Sequence, residues 1–130
     1  MTSLTDYKPL PKLTDLDPGI DVFEFNILVL PRELAEKTKG GIIMAEQHRE
    51  REEEAGIEGL VVRTGEYAFH FEDSDGQVQP WDKRPQVGEV VMFARYAGGR
   101  NFIGTDGRRY RIMKDKDVLG VRRHAKAEAV

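Results

Sequence analysis

Residues 87–93 read Val87-Gly88-Glu89-Val90-Val91-Met92-Phe93, and this stretch decides the fold class. Val90, Val91, Met92 and Phe93 form an unbroken apolar run, the pattern of a buried strand. Toward the C-terminus, residues 101–103, 110–113 and 118–121 repeat short apolar runs, and Asp106-Gly107 supplies a tight turn between the first two. Toward the N-terminus, Phe23, Phe25, Ile27 and Val29 alternate with Glu24, Asn26 and Leu28, so residues 23–30 predict a strand that Pro31 ends. Residues 57–62 predict another. Residues 67–71 predict a third, with Tyr67, Phe69 and Phe71 on one face because strand side chains alternate. Asp75-Gly76 then predicts a type I′ hairpin turn, from which residues 77–79 return. Short strands at this spacing predict an all-β domain, a small barrel or a sandwich.

The chain has 130 residues, enough for one domain and one modest core. No apolar run approaches the ~20 residues of a membrane helix, and no segment has the layout of a signal peptide. Cytoplasmic residence is therefore expected. Cysteine is absent, which excludes disulfides, thiolate metal sites and thiol chemistry. The net charge of −3 argues against a general nucleic-acid binder. It conceals an asymmetry: residues 95–126 carry ten basic and three acidic side chains, whereas residues 1–94 carry ten basic and nineteen acidic. Solvated faces, or a basic edge meeting the acidic edge of a neighbour, both fit that distribution. No aromatic stacking pattern accompanies the positive charge, so nucleic acid is the weakest partner class.

Organisation follows from punctuation. Residues 1–21 read as an N-terminal extension, because Pro9, Pro11 and Pro18 favour extended chain over helix. Residues 122–130 read as a polar C-terminal tail. Between them, residues 22–121 form the domain. One segment, about residues 34–56, lacks a strand pattern. It holds Lys37-Thr38-Lys39-Gly40-Gly41, then Ile42-Ile43-Met44, then a charge run ending in Glu52-Glu53-Glu54. A loop of this length in a small β domain is commonly functional or disordered. Its apolar triplet either packs on the domain or is offered to a partner.

Catalytic chemistry finds no support. His48, His70 and His124 are not at metal-ligand spacing, and no HExxH, GxSxG or phosphate loop occurs. Gly40-Gly41 and Gly98-Gly99 lack the strand-to-helix setting that phosphate binding requires. The expectation is a protein that is not an enzyme, binds no metal and has no cofactor of its own.

The order of these features resembles the GroES-type co-chaperonins over about residues 22–121. The strand Val87-Gly88-Glu89-Val90-Val91-Met92-Phe93 is followed by Arg95-Tyr96-Ala97-Gly98 and by Asp106-Gly107-Arg108-Arg109-Tyr110-Arg111-Ile112-Met113. The closing Asp117-Val118-Leu119-Gly120-Val121 comes last, in the order and spacing of that family. Gly59-Leu60-Val61-Val62-Arg63-Thr64-Gly65 is similar to its G-x-V-V-x-x-G strand. Departures are the N-terminal extension, a first strand that keeps only the apolar part of P-L-x-D-R-V, Met44 where Leu or Ile is usual, and a longer hairpin. They fit a divergent copy, such as a phage-encoded one.

The resemblance implies a small antiparallel barrel with a mobile loop at about residues 34–56 and a roof hairpin at about residues 66–80. It implies a heptameric ring that caps an ATP-driven, GroEL-type chaperonin over unfolded protein, with nucleotide bound by the partner alone. Gly40, Gly41, Ile42, Ile43 and Met44 would be the chaperonin-binding residues. Tyr67, Phe69, Phe71, Asp75 and Gly76 would form the roof hairpin. Phe25, Ile27, Val29, Ile112, Val118, Leu119 and Val121 would lie at the subunit interface, where first and last strands of neighbours join and cover sheet edges. A structural or adaptor protein on the same barrel, for example a virion component, is the alternative.

Overall fold

A computed structural model describes residues 7–33, 58–94 and 98–126, with side chains of the last strand as far as Arg123. Among the described residues the elements are β1 (Asn26–Pro31), β2 (Glu58–Thr64), β3 (His70–Glu72), β4 (Val78–Pro80), β5 (Glu89–Phe93), β6 (Arg100–Ile103), β7 (Arg109–Lys114) and β8 (Val118–Lys126). Two single 3-10 turns, Leu13–Asp15 and Asp115–Asp117, are the remaining regular structure there, so the chain is all-β as its strand pattern implied.

Six strands form one antiparallel sheet in the order β6-β7-β1-β2-β5-β8, and β3 and β4 form a separate hairpin. Period-two alternation explains how the sheet is covered. Ile27 and Val29 face a core with Val61, Val91, Phe93 and Met113, and Ala68, Phe69, Val118 and Val121 close around it. Leu28 points the other way, with Leu60, Val62, Val90 and Tyr110. Strand β1 is therefore buried on both faces and paired on both sides, Ile27 opposite Thr64 of β2 and Met113 of β7. This is the curled sheet of the small antiparallel barrel.

The second face is covered by the chain's own beginning. Leu10, Leu13, Leu16 and Val22 pack there against Leu28, Leu60 and Tyr110. The described part of the segment read as a proline-rich extension, residues 7–21, is extended chain apart from the single 3-10 turn, but it lies on the sheet. Its later part is fastened to the β6–β7 turn: the Asp17 amide donates to Asp106 Oδ2, the Asp106 amide to Asp17 O, and the Thr105 amide to Pro18 O.

Both hairpin turns centre on the Asp-Gly pairs, as expected, but at Asp75-Gly76 the geometry is not the type I′ turn that the pair predicted. Only the glycine of each pair has positive φ, +79° at Gly76 and +82° at Gly107. The Gly76 amide donates to Asp73 O and the Gly107 amide to Gly104 O. Each is a type I turn followed by a left-handed glycine, the longer hairpin solution, rather than a two-residue type I′ turn. The Asp73 side chain reinforces the first, accepting from the amides of Asp75 and Gln77.

Three strand boundaries move for physical reasons. Residues 23–25 are a turn, with Glu24 at φ +59° and the Asn26 amide donating to Phe23 O, so β1 starts at Asn26. Residues 66–69 are also a turn, so Tyr67, Phe69 and Phe71 do not share a strand face. Phe69 has φ +61°, Ala68 turns into the core and Phe69 packs half-buried beside it. Strand β8 runs past Val121 to Lys126, so Arg122 and Arg123 belong to the sheet.

Candidate functional site

The apolar triplet Ile42-Ile43-Met44 and the glycines Gly40-Gly41 lie outside the described residues. The two points from which that segment departs, Glu33 and Glu58, are described, and a charged cluster is built around them. The Arg32 amide donates to Glu58 O at 2.9 Å, closing the ends against each other. The Glu58 side chain points inward from β2 and the residue is only 1% exposed. A carboxylate this buried needs cationic partners. Arg122 supplies one, its Nη2 and Nε donating to Glu58 Oε2 at 2.7 and 3.1 Å. Arg32 supplies the other, with Nη1 at 3.6 Å from Oε1. Donating to Glu58 holds the Arg122 guanidinium above its ordinary range against the cost of its partial burial, and the Glu58 charge adds to it.

The extension reaches the same place. The Arg32 guanidinium sits 4.2 Å from the centre of the Tyr7 ring, a cation–π contact. The Lys8 amide donates to Glu33 O at 2.8 Å, and Lys8 Nζ meets Glu33 Oε2 at 2.9 Å. A second buried acid, Glu89 on β5, takes both oxygens to Arg123 Nη1 at 3.0 and 3.1 Å, while Arg123 Nη2 donates to Lys83 O. Part of the positive charge of residues 95–126 is thus neutralised inside the protomer. Arg32, Glu58, Arg122 and Arg123 do not stand out in the sequence, and Glu89 enters there only as part of the strand that ends at Phe93. The available signal was an acid opening each of two apolar strands and an arginine pair directly after the last apolar run.

The hairpin residues stand apart from this cluster. Phe71 is 49% exposed and Trp81, which the sequence reading did not single out, is 50% exposed. Tyr67 is also exposed, with its ring 6.0 Å from that of Phe25 and edge-on to His70. The hairpin is hung from the barrel by Asp115, whose Oδ2 accepts from the Phe69 amide at 2.8 Å while its own amide donates to Phe25 O.

The residues expected between subunits separate into two groups. Ile27 and Val29 are fully buried in the protomer's own core on a strand paired on both sides, so they have neither surface nor backbone edge for a neighbour. Val118, Val121 and Ile112 are partly buried against the two cores. Phe25 and Leu119 are exposed. Leu119 sits at a register shift of β8, between Gly120 opposite Met92 and Val118 opposite Phe93, and is turned outward to 73% exposure.

The family model of the chaperonin 10 Kd subunit matches residues 20–122. The chain belongs to the chaperonin 10 family of co-chaperonins. Among the relatives of this chaperonin 10 chain, a Co-chaperonin GroES of Desulforapulum autotrophicum is 38% identical over 95 residues, covering 73% of this chain and 88% of that protein. Co-chaperonin GroES 5 of Rhizobium meliloti is 36% identical over 104 residues, covering 80% and 89%. Co-chaperonin GroES of Pelagibacter ubique is 34% identical over 95 residues, covering 73% and 88%. The match takes in five strands of the six-stranded sheet and β8 as far as Arg122, and leaves residues 7–19 of the described extension outside it.

Proposed function

We propose that this chain caps a GroEL-type, ATP-driven double-ring chaperonin as a heptameric ring and closes its chamber over unfolded protein in the cytoplasm. The observation that carries the reading is the family match across residues 20–122, with relatives named as co-chaperonins over nearly their whole length. The chain acts by docking rather than catalysis and needs no cofactor, because the partner binds and hydrolyses the nucleotide.

Gly40 and Gly41 give the docking segment backbone freedom, and Ile42, Ile43 and Met44 enter an apolar groove of the chaperonin. Burying three such side chains gains about 1.5–3 kcal/mol each before costs. Ordering the segment gives much of this back, so each contact is weak. A ring presents several such contacts at once, and effective concentration turns weak contacts into firm capping that still releases cooperatively. Met44 is apolar and adaptable enough for the position. Support for assembly comes from the end position of β8 in the sheet order, from its outward Leu119 and from exposed Phe25, the surface a neighbouring subunit would cover. The aromatic hairpin becomes the roof.

Assisted refolding tests the reading. An aggregation-prone enzyme diluted into chaperonin and ATP is expected to recover more activity when this chain is present. An equal recovery with and without it contradicts the capping role.

A further inference from the structure

Residues 7–19 lie outside the family match, yet they are tied to the fold at both ends. At their later end, Asp17 and Pro18 exchange three backbone-mediated hydrogen bonds with Thr105 and Asp106. A Cβ at Gly19 would come within 2.1 Å of Thr105 Oγ1, so the chain passes this turn in contact. In the middle, Leu10, Leu13 and Leu16 lie on the second face of the sheet. Where the described chain starts, Tyr7 and Lys8 hold Arg32 and Glu33 by a ring face, a backbone hydrogen bond and an ion pair. Arg32 and Glu33 are the last residues before the segment that returns at Glu58, and Arg32 is itself bonded to Glu58.

We propose that residues 7–16 act as a strap that fixes the stem of the 34–57 segment, with Tyr7 and Lys8 as positioning residues for docking. The proposal rests on the reading that this segment carries the chaperonin contact. The physical argument concerns entropy. A segment whose two ends are held has less freedom to lose when its middle is bound, so binding costs less. The strap fixes one end by gripping Arg32 and Glu33, and Arg122 fixes the other by gripping Glu58. Its leucines set the position of Tyr7 and Lys8 through the sheet. The strap is therefore an affinity device that this chain adds to the family's barrel.

The test uses the full chain carrying Tyr7→Ala and Lys8→Ala together, with Tyr7→Phe as the variant that keeps the ring. Two quantities are read: amide hydrogen exchange of Arg32 on the isolated protein, and affinity for a double-ring chaperonin in ADP. The double variant is expected to exchange Arg32 faster and to bind about two- to fivefold more weakly per site, the scale of one lost cation–π contact. Tyr7→Phe is expected to keep both near the wild-type values. Unchanged exchange at Arg32 overturns the strap. A lowered thermal midpoint with unchanged affinity also overturns it, since that is what a merely structural extension would give. A wild-type chain that binds no chaperonin overturns the capping reading instead, and the exchange measurement then still decides whether the strap holds the stem.

Discussion

Arg122 and Glu58 lie 64 positions apart in the chain, and two nitrogens of one guanidinium close on a single carboxylate oxygen at 2.7 and 3.1 Å. The pair joins the middle of β8 to the start of β2, at the root of the segment that leads to Ile42. Removing one partner of a buried pair costs about 3–5 kcal/mol, because the other charge is left without compensation. Here the Arg122 side chain is 40% exposed and Arg32 stands by, so Arg122→Ala is expected to cost about 2 kcal/mol in urea unfolding. Glu58→Gln with Arg122→Gln should lose less than the sum of the single variants. Additive losses in that cycle would show that the two side chains do not interact.

Asp106 gives the fold an acid sensitivity. Burial opposes its ionised form, but the Asp17 amide, the Tyr110 hydroxyl and the Arg108 amide donate to it and the Arg108 charge adds, and together these hold its carboxyl below the usual 3.8. A carboxyl lowered in the folded state stabilises the fold above its unfolded value, and that stabilisation is lost as pH falls through the folded value. Thermal midpoints of the wild type should therefore fall more steeply below about pH 4 than those of Asp106→Asn. Parallel curves would remove Asp106 from the account. Tyr110 works in the opposite direction: burial and the Asp106 hydrogen bond raise its hydroxyl, so its contribution holds below the unfolded value of 10.0 and is lost as pH rises above it.

Leu119 tests assembly without touching the core. It is exposed on the outer strand, and a substitution at such a site ordinarily changes protomer stability by no more than about 0.5 kcal/mol. Leu119→Asp is expected to keep a folded protomer and to shift the mass measured by light scattering from ring to smaller species. A ring of unchanged mass at micromolar concentration would move the interface elsewhere.

Ile43→Ser addresses the anchor. If Ile43 docks as proposed, the substitution removes most of one apolar contact in every subunit, and multivalency multiplies the loss. Chaperonin binding should fall by more than tenfold while the ring keeps its mass. Normal binding by this variant would take the anchor away from Ile43.

Much of the barrel was legible because its strands carry local signals. The run Val90-Val91-Met92-Phe93 became β5, and both Asp-Gly pairs became hairpin turns. The errors have identifiable causes. The spacing of Tyr67, Phe69 and Phe71 looks like a strand, but the core needs Ala68 there, and the Asp115 carboxylate holds Phe69 in a left-handed turn that no local signal announces. Prolines argued against helix in residues 1–21, and residues 7–21 hold only a single 3-10 turn, but Leu10, Leu13 and Leu16 find their partners only through the folded sheet. Arg122 and Arg123 look like the start of a polar tail because Glu58 and Glu89, the acids they meet, are distant in sequence. Ile27 and Val29 have the right pattern for a first strand, but that strand lies between β7 and β2, so the interface role that the resemblance implied for them finds no free edge.

The central claim is nucleotide-dependent capping, and size exclusion with mass detection tests it most directly. The chain is mixed with a GroEL-type double-ring chaperonin, with ADP in one run and without nucleotide in the other. Co-elution of a ring of this chain with the chaperonin in ADP, and its absence without nucleotide, is the predicted result. A stable ring that elutes alone in both runs would contradict the account.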